Sequence, residues 1–285
     1  MALSFLNFMN NLSHHKSGPI EFFERKGHSE LEVVLLHGIG SNASSFESLI
    51  KELPDSWRLI AWNAPGYGNS EPLKPDWPIA EDYALALKNF FNRLKLKSPL
   101  LVGHSLGALI ATSFAANYPK NVSKLLLASP ALGYGQAVNE TLDSKAQERI
   151  DELELLGVEK FAKRRASRLV ANPDEYPMIV SKVIKEMMRI NIPGYIQAVK
   201  MLASGELLKD ALKLNCPTDV VVGAEDIITT PESSLKAYET INSVVLSNFT
   251  ELQGAGHAIY QQSPKNFAKS LKKLAKSNLL ITSTG

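Results

Sequence analysis

Three short stretches hold the residues best suited to chemistry. Residues 101–110 read LVGHSLGALI, placing Ser105 two residues from a glycine on either side, Gly103 and Gly107. A serine hydroxyl becomes a nucleophile when a base takes its proton. Histidine is the usual base, and a carboxylate can orient it. Residues 253–258 (QGAGHA) offer His257 in a glycine-rich loop, and residues 221–231 (VVGAEDIITTP) offer the adjacent acids Glu225 and Asp226. Read from residue types alone, His257 could equally be an exposed loop histidine, and Asp226 could cap the following helix. A fourth stretch, LHGIGS at 36–41, ends an apolar run in a loop whose backbone N–H groups could face the same place and stabilise an oxyanion.

These residues need elements to hold them. The run before Gly103 is apolar and branched, as in a buried strand, and 108–117 (ALIATSFAAN) is a good helix former. Gly103 to Gly107 is therefore predicted to be a sharp strand-to-helix turn, with Ser105 at a strained apex. The N–H of Leu106 would then sit at a helix N-terminus, where developing negative charge is favoured. Further strands are predicted at 20–25, 31–36, 58–62, 122–128, 218–222 and 245–252. Helices are predicted at 79–94, 231–240 and 264–276. Strands alternating with helices imply a mostly parallel sheet, and each candidate loop follows a strand, where open α/β sheets bind ligands.

That rhythm stops between 134 and 214, where only helices are predicted: 146–156, 158–170, 177–189 and 196–208. The expected organisation is an α/β core of residues 1–132 and 215–285 with a helical cap at 133–214. Ile179, Val183, Met187 and Met188 could line a pocket beneath the cap or pack it onto the core. Lys163, Arg164 and Arg165 are read as a solvated helix face rather than an anion site.

Composition bounds the partners. The chain has 285 residues, 45% of them hydrophobic, and a formal net charge of +2, so no nucleic-acid partner is expected. No apolar run is long enough to span a bilayer, so no membrane partner is expected. The start, MALSFLNFMNNLSHHKSG, lacks the charged and apolar regions of a signal peptide. Its His14-His15 pair is read as part of a solvated, mobile terminus, and the tail ITSTG as frayed. One cysteine, Cys216, points to a reducing cytoplasm and a buried, inert thiol.

Together the motifs resemble those of the α/β-hydrolase fold superfamily. Its G-x-S-x-G turn matches Gly103 to Gly107, its acid loop matches Gly223 through Asp226 to Pro231, and its Gly-His loop matches Gly256-His257 through to Pro264. His37-Gly38 matches its oxyanion loop. A further strand-end turn, 63–70, reads NAPGYGNS, with Asn63 and Pro65 where aspartate and arginine are usual. The chain order, serine then acid then histidine, is also that of the superfamily.

The resemblance implies an eight-stranded-type sheet with helices on both faces. It also implies roles: Ser105 as nucleophile, His257 as general base then acid, Asp226 as its orienting acid, and the N–H groups of Ile39 and Leu106 as oxyanion donors. Glu225 fits the acid position less well, and His104 is expected to pack under the turn without a catalytic role. No cofactor or metal is implied. The sequence looks closest to carboxylesterases and enol-lactone hydrolases acting on a small molecule, with homo-oligomerisation left open. Ser105 argues against haloalkane dehalogenases and epoxide hydrolases, which place aspartate there. Carbon–carbon bond hydrolases of ring-cleavage products are the alternative, though Gly40-Ser41-Asn42 and Ala258 depart from their pattern. Perhydrolase or haloperoxidase activity is also compatible, and a non-catalytic ligand-binding member of the fold is the second alternative.

Overall fold

In the computed structural model, residues 12–277 are described. Eight strands form one sheet: β1 (Leu12–Ser17), β2 (Ile20–Arg25), β3 (Glu32–Leu36), β4 (Arg58–Trp62), β5 (Leu100–His104), β6 (Lys124–Ala128), β7 (Thr218–Gly223) and β8 (Phe249–Leu252). Their spatial order is β1-β2-β4-β3-β5-β6-β7-β8. β2 pairs antiparallel with β1 and β4, and the remaining pairs are parallel. The eight-stranded, mostly parallel α/β expectation holds.

The helices are α1 (Glu47–Ile50), α2 (Ala80–Leu94), α3 (Leu106–Asn117), α4 (Ser144–Ala166), α5 (Pro177–Met187), α6 (Ile192–Ser204), α7 (Leu207–Ala211), α8 (Pro231–Asn242), α9 (Ile259–Gln262) and α10 (Pro264–Lys276). They cover both faces of the sheet, so the central strands are apolar throughout and their side chains alternate between two cores. Val34, Leu36, Leu101, Leu125 and Leu127 pack with Phe90, Leu109 and Phe114 of α2 and α3. Val33, Leu35, Leu100, Val102 and Leu126 pack with Leu49 of α1 and with Phe267 and Leu271 of α10.

The connection from β3 leads to β4 on one side, whereas β5 lies on the other side of β3 and leads on to β6. The chain thus reverses its direction of travel between β3 and β5. A crevice opens at such a switch point, outside the carboxyl ends of the strands. The loop after β3 carries Gly38 and Ile39, and the turn after β5 is Ser105.

Between β6 and β7 there are only helices, α4 to α7, as expected. They build a third apolar cluster, with Ile150, Leu153 and Phe161 of α4, Val183 and Met187 of α5, and Tyr195 and Val199 of α6, joined by Trp77 and Ala258 from outside this segment. The helices predicted at 146–156 and 158–170 form the two halves of α4. Its helical backbone is interrupted at Gly157 (φ 69°, ψ 163°), a conformation open to glycine.

Three readings need correction. His14 and His15 belong to β1, where His14 bonds Glu21 and His15 Nε2 lies 2.6 Å from Ser13 Oγ. This strand is polar because it is an edge strand held by backbone pairing to β2, which hydrophobic periodicity does not register. β8 is shorter than predicted, because the N–H groups of Val244 and Val245 bond back to Ile241 and continue the end of α8 as a turn. α1 was not anticipated, being only four residues long. The tail reading ITSTG lies outside the described residues. Among those described, no helix is long and apolar enough to cross a membrane.

Cys216 is buried just before β7, and burial raises its thiol pKa. A thiol reagent at neutral pH should therefore label the native protein slowly. Full labelling of this one thiol should need urea, and rapid stoichiometric labelling of native protein would contradict the packing.

Candidate active site

The turn after β5 is a single residue. His104 ends the strand, Leu106 begins α3, and Ser105 between them adopts φ 53° and ψ −117°. An L-residue in this region carries strain of about 1–3 kcal/mol. The glycines explain why the turn can close. A Cβ at Gly103 would lie 2.4 Å from the carbonyl oxygen of Gly107, and one at Gly107 would lie 2.3 Å from that of Leu36. The start of α3 is thereby seated directly on β3 and β5. The strained residue is held by its N–H donating to Ala128 O (2.9 Å), and by its carbonyl accepting from Ala108 N (3.0 Å) and Ala131 N (3.2 Å).

His257 is brought beside this turn by the loop between β8 and α9. Its Nδ1 lies 2.9 Å from Asp226 Oδ2. That distance marks a charge-assisted hydrogen bond in which Nδ1–H donates to the carboxylate. Asp226 also accepts, at Oδ1, the N–H groups of Ile228 (2.8 Å) and Thr229 (3.0 Å). Burial alone would raise the pKa of this carboxyl. The charge and hydrogen bond of His257 and the two backbone donors outweigh burial and bring it down to about 2.

Thr229 was missed in the sequence. Its Oγ1 lies 2.9 Å from Ser129 O, 3.0 Å from Asp226 Oδ2 and 3.1 Å from His257 Nδ1, tying the acid loop to the strand end of β6. Its position three residues after the acid was the available signal, since a hydroxyl there can fold back onto the carboxylate. Glu225 has a different task. It accepts the N–H groups of Gly254 (3.2 Å) and Ala255 (2.9 Å), and so anchors the loop that carries His257.

Ser105, Asp226 and His257 are only 4%, 2% and 6% exposed. Ser105 Oγ and His257 Nε2 have no hydrogen-bond partner among the described residues, yet neither is among the fully buried unsatisfied atoms. Both residues line one cavity of about 400 Å³, so these two atoms open onto it. Such a volume suits a small ligand.

The loop after β3 lines the same cavity, beside Ser105. His37 Nδ1–H donates to Gly38 O (2.9 Å), while its Nε2 accepts the N–H of Ala64 (3.0 Å). Burial lowers the pKa of His37 to about 4, so it is a neutral brace. A Cβ at Gly38 would meet Ser105 Cβ at 2.9 Å, which shows how tightly the loop approaches the turn. The Gly40 N–H is bonded to Tyr67 Oη (3.3 Å). The N–H groups of Ile39 and Leu106 have no acceptor among the described residues. Both belong to residues beside Ser105 and could receive a developing oxyanion.

His104 packs as expected. Its Nε2–H donates to the carbonyl of His257 (2.9 Å), and its ring contacts those of both His257 and Tyr260, each centroid 4.7 Å away. Burial, then the neighbouring His257, lowers its pKa to about 3, so it supports His257 as a neutral side chain.

Residues of α4, α5 and α6 also line the cavity. Val183 and Met187 line it, as one reading allowed, whereas Ile179 is not part of the lining and Met188 is 47% exposed. The lysine–arginine run also needs correction. Lys163 and Arg164 are solvated, but Arg165 turns inward and lines the cavity together with Arg149 and Arg168. The run straddles a helix edge, and only burial on the folded helix separates its faces.

The Asp226 environment sets a pH dependence. A carboxyl whose folded pKa is depressed stabilises the fold above its unfolded pKa, and that stabilisation is lost as pH falls through the folded value. With values near 4 and near 2, the window is pH 4 to 2, and the amount is on the order of 2 kcal/mol. In urea unfolding, the stability advantage of the native protein over Asp226→Asn should shrink across that window. An advantage constant from pH 6 to pH 2 would contradict the pairing.

Comparison with known proteins follows the same lines. A sequence model described as serine aminopeptidase, S33, matches residues 27–263. The chain is 28% identical over 261 residues to a putative esterase/lipase 2 of Mycoplasma pneumoniae, covering 88% of this chain and 92% of that one. It is 24% identical over 270 residues to the human monoacylglycerol lipase ABHD6, covering 87% of this chain and 76% of the relative. Among solved structures, the enol-lactonase from Burkholderia xenovorans LB400 superposes with a TM-score of 0.81 at 17% identity, over 93% of this chain and all of that one. A thermophilic esterase from Thermogutta terrifontis gives 0.77 at 23% identity, over 92% and 97%. At these identities the two structures speak for the fold alone. The match over most of its length, on an α/β-hydrolase sheet, places the chain in the serine aminopeptidase S33 family of α/β-hydrolases.

Proposed function

We propose that the protein is a serine hydrolase that cleaves a small carboxylic ester or lactone through an acyl-enzyme on Ser105. The observation that carries this reading is the shared cavity. Ser105 Oγ, on its strained turn, opens onto the same space as His257 Nε2, while His257 Nδ1 is held 2.9 Å from Asp226 Oδ2. In this reading His257 Nε2 takes the Ser105 proton as Oγ attacks the substrate carbonyl. The Ile39 and Leu106 N–H groups receive the oxyanion, and ionised Asp226 stabilises the imidazolium. His257 then returns the proton to the departing alkoxide. A water activated by His257 attacks the acyl-enzyme, and the acid leaves from Ser105. Residues 133–214 act as a cap over the site, and residues 1–132 and 215–285 form the core.

The family's description mentions an aminopeptidase, whose substrate carries a cationic amino terminus. Here the cavity wall holds Arg149, Arg165 and Arg168. Its carboxylate outside the Asp226 pair, Glu186, is engaged by Ser44 Oγ at 2.5 Å and faces Arg189 at 3.7 Å. A cationic substrate would meet like charge, which disfavours peptide amino termini. The names of the two relatives, an esterase/lipase and a lipase, agree with ester cleavage.

Turnover of p-nitrophenyl acetate tests the roles. Ser105→Ala should fold and lose at least about a thousandfold in kcat. Asp226→Asn should lose far more activity than Glu225→Gln, which acts only through the loop. Wild-type turnover by Ser105→Ala would overturn the nucleophile, and the reverse ranking of the acids would overturn the choice of Asp226.

A further inference from the structure

The roof of the cavity has a charge pattern that ester hydrolysis in general does not require. Arg149, Arg165 and Arg168 all line it, and all three stand on α4 or just after it. One carboxylate of this cap, Glu152, sits among them, and its two oxygens are already committed. Oε2 is 2.6 Å from Arg165 Nη1, and Oε1 is 3.0 Å from the solvated Arg164. Arg165 is further fixed by its guanidinium lying 5.0 Å from the Phe161 ring centroid. Arg149 and Arg168 have no carboxylate partner among the described residues. Glu186 is tied to Ser44, as described above.

Arg149 is the best placed of the three. It is half-buried, and its charge favours the ionised forms of both Tyr67 and Tyr195. Tyr67 receives the Gly40 N–H beside Ile39, and both Gly40 and Ile39 line the same cavity as Arg149. Burial lowers the pKa of the Arg165 guanidinium, and repulsion from Arg149 lowers it further. Two guanidiniums facing one cavity, with one intervening carboxylate already used, are relieved by a bound anion. Guanidinium geometry suits a carboxylate, which it can bind through two parallel hydrogen bonds.

We propose that the cavity over Ser105 takes a substrate bearing a carboxylate in addition to its scissile ester or lactone, and that Arg149, with Arg165 beside it, binds that carboxylate. The proposal rests on the hydrolytic reading for what happens to the ester, but binding can be measured without turnover. The full-length Ser105→Ala protein would be titrated calorimetrically with the monomethyl esters of succinate, glutarate and adipate, and with the corresponding neutral dimethyl esters. At least one hemi-ester should bind at least tenfold more tightly than its neutral partner. Arg149→Gln in the same background should remove that preference, whereas Lys163→Gln, which deletes an equal charge from the solvated face of α4, should keep it.

Equal binding of hemi-esters and diesters would overturn the proposal even if Arg149→Gln failed to fold. So would an undiminished preference in a folded Arg149→Gln, or tighter binding of inorganic phosphate than of any hemi-ester. Continuous heat from hydrolysis by Ser105→Ala would instead overturn the nucleophile assignment, so the two failures are distinguishable.

Discussion

The arrangement depends on the backbone of one residue. Ser105 occupies a left-handed conformation that costs about 1–3 kcal/mol wherever an L-residue adopts it. The surroundings over-determine it: three backbone hydrogen bonds fix its peptide groups, and the start of α3 sits so close to β3 and β5 that Gly103 and Gly107 have no room for a side chain. α3 is nearly all buried, so its N-terminus cannot shift to relieve the strain. The same strain lifts Oγ beyond the sheet and leaves the Leu106 N–H at a helix start. The proposed nucleophile and the proposed oxyanion donor are thus two consequences of one turn.

Around it, charge is sorted by depth. Below the cavity, Asp226 is ionised against His257, while His37 and His104 are kept neutral by burial and serve as braces. Above it, the insertion presents guanidiniums. A neutral ester would meet this roof through Val183 and Met187, whereas a substrate with a carboxylate would also offset its excess positive charge. The fold supplies the lower half, and α4 supplies the character of the upper half.

The lower half was legible in the sequence because it is local. The Gly103-x-Ser105-x-Gly107 spacing, the acid after β7 and the histidine after β8 each follow a strand whose apolar run is visible, and the parallel order brings strand ends together. Even the choice between Glu225 and Asp226 followed the motif offset, and the structure gives each acid a separate partner. What was not legible depends on long-range packing. β1 is polar and is defined by its neighbour, so His14 and His15 read as a loose end. Thr229 is a loop residue until Ser129 comes beside it. Arg165 shares a basic run with two solvated residues, and only the packing of α4 against α5 and α6 shows which one turns inward.

The central claim is that Ser105 is an activated nucleophile held beside His257. The most direct measurement is intact-mass spectrometry, with peptide mapping, after brief incubation with a small fluorophosphonate. The account predicts one adduct per chain, located on Ser105 and abolished in His257→Ala. No adduct, with the protein still folded, would contradict it and leave a ligand-binding protein on a hydrolase fold. An adduct on any other residue would contradict the nucleophile.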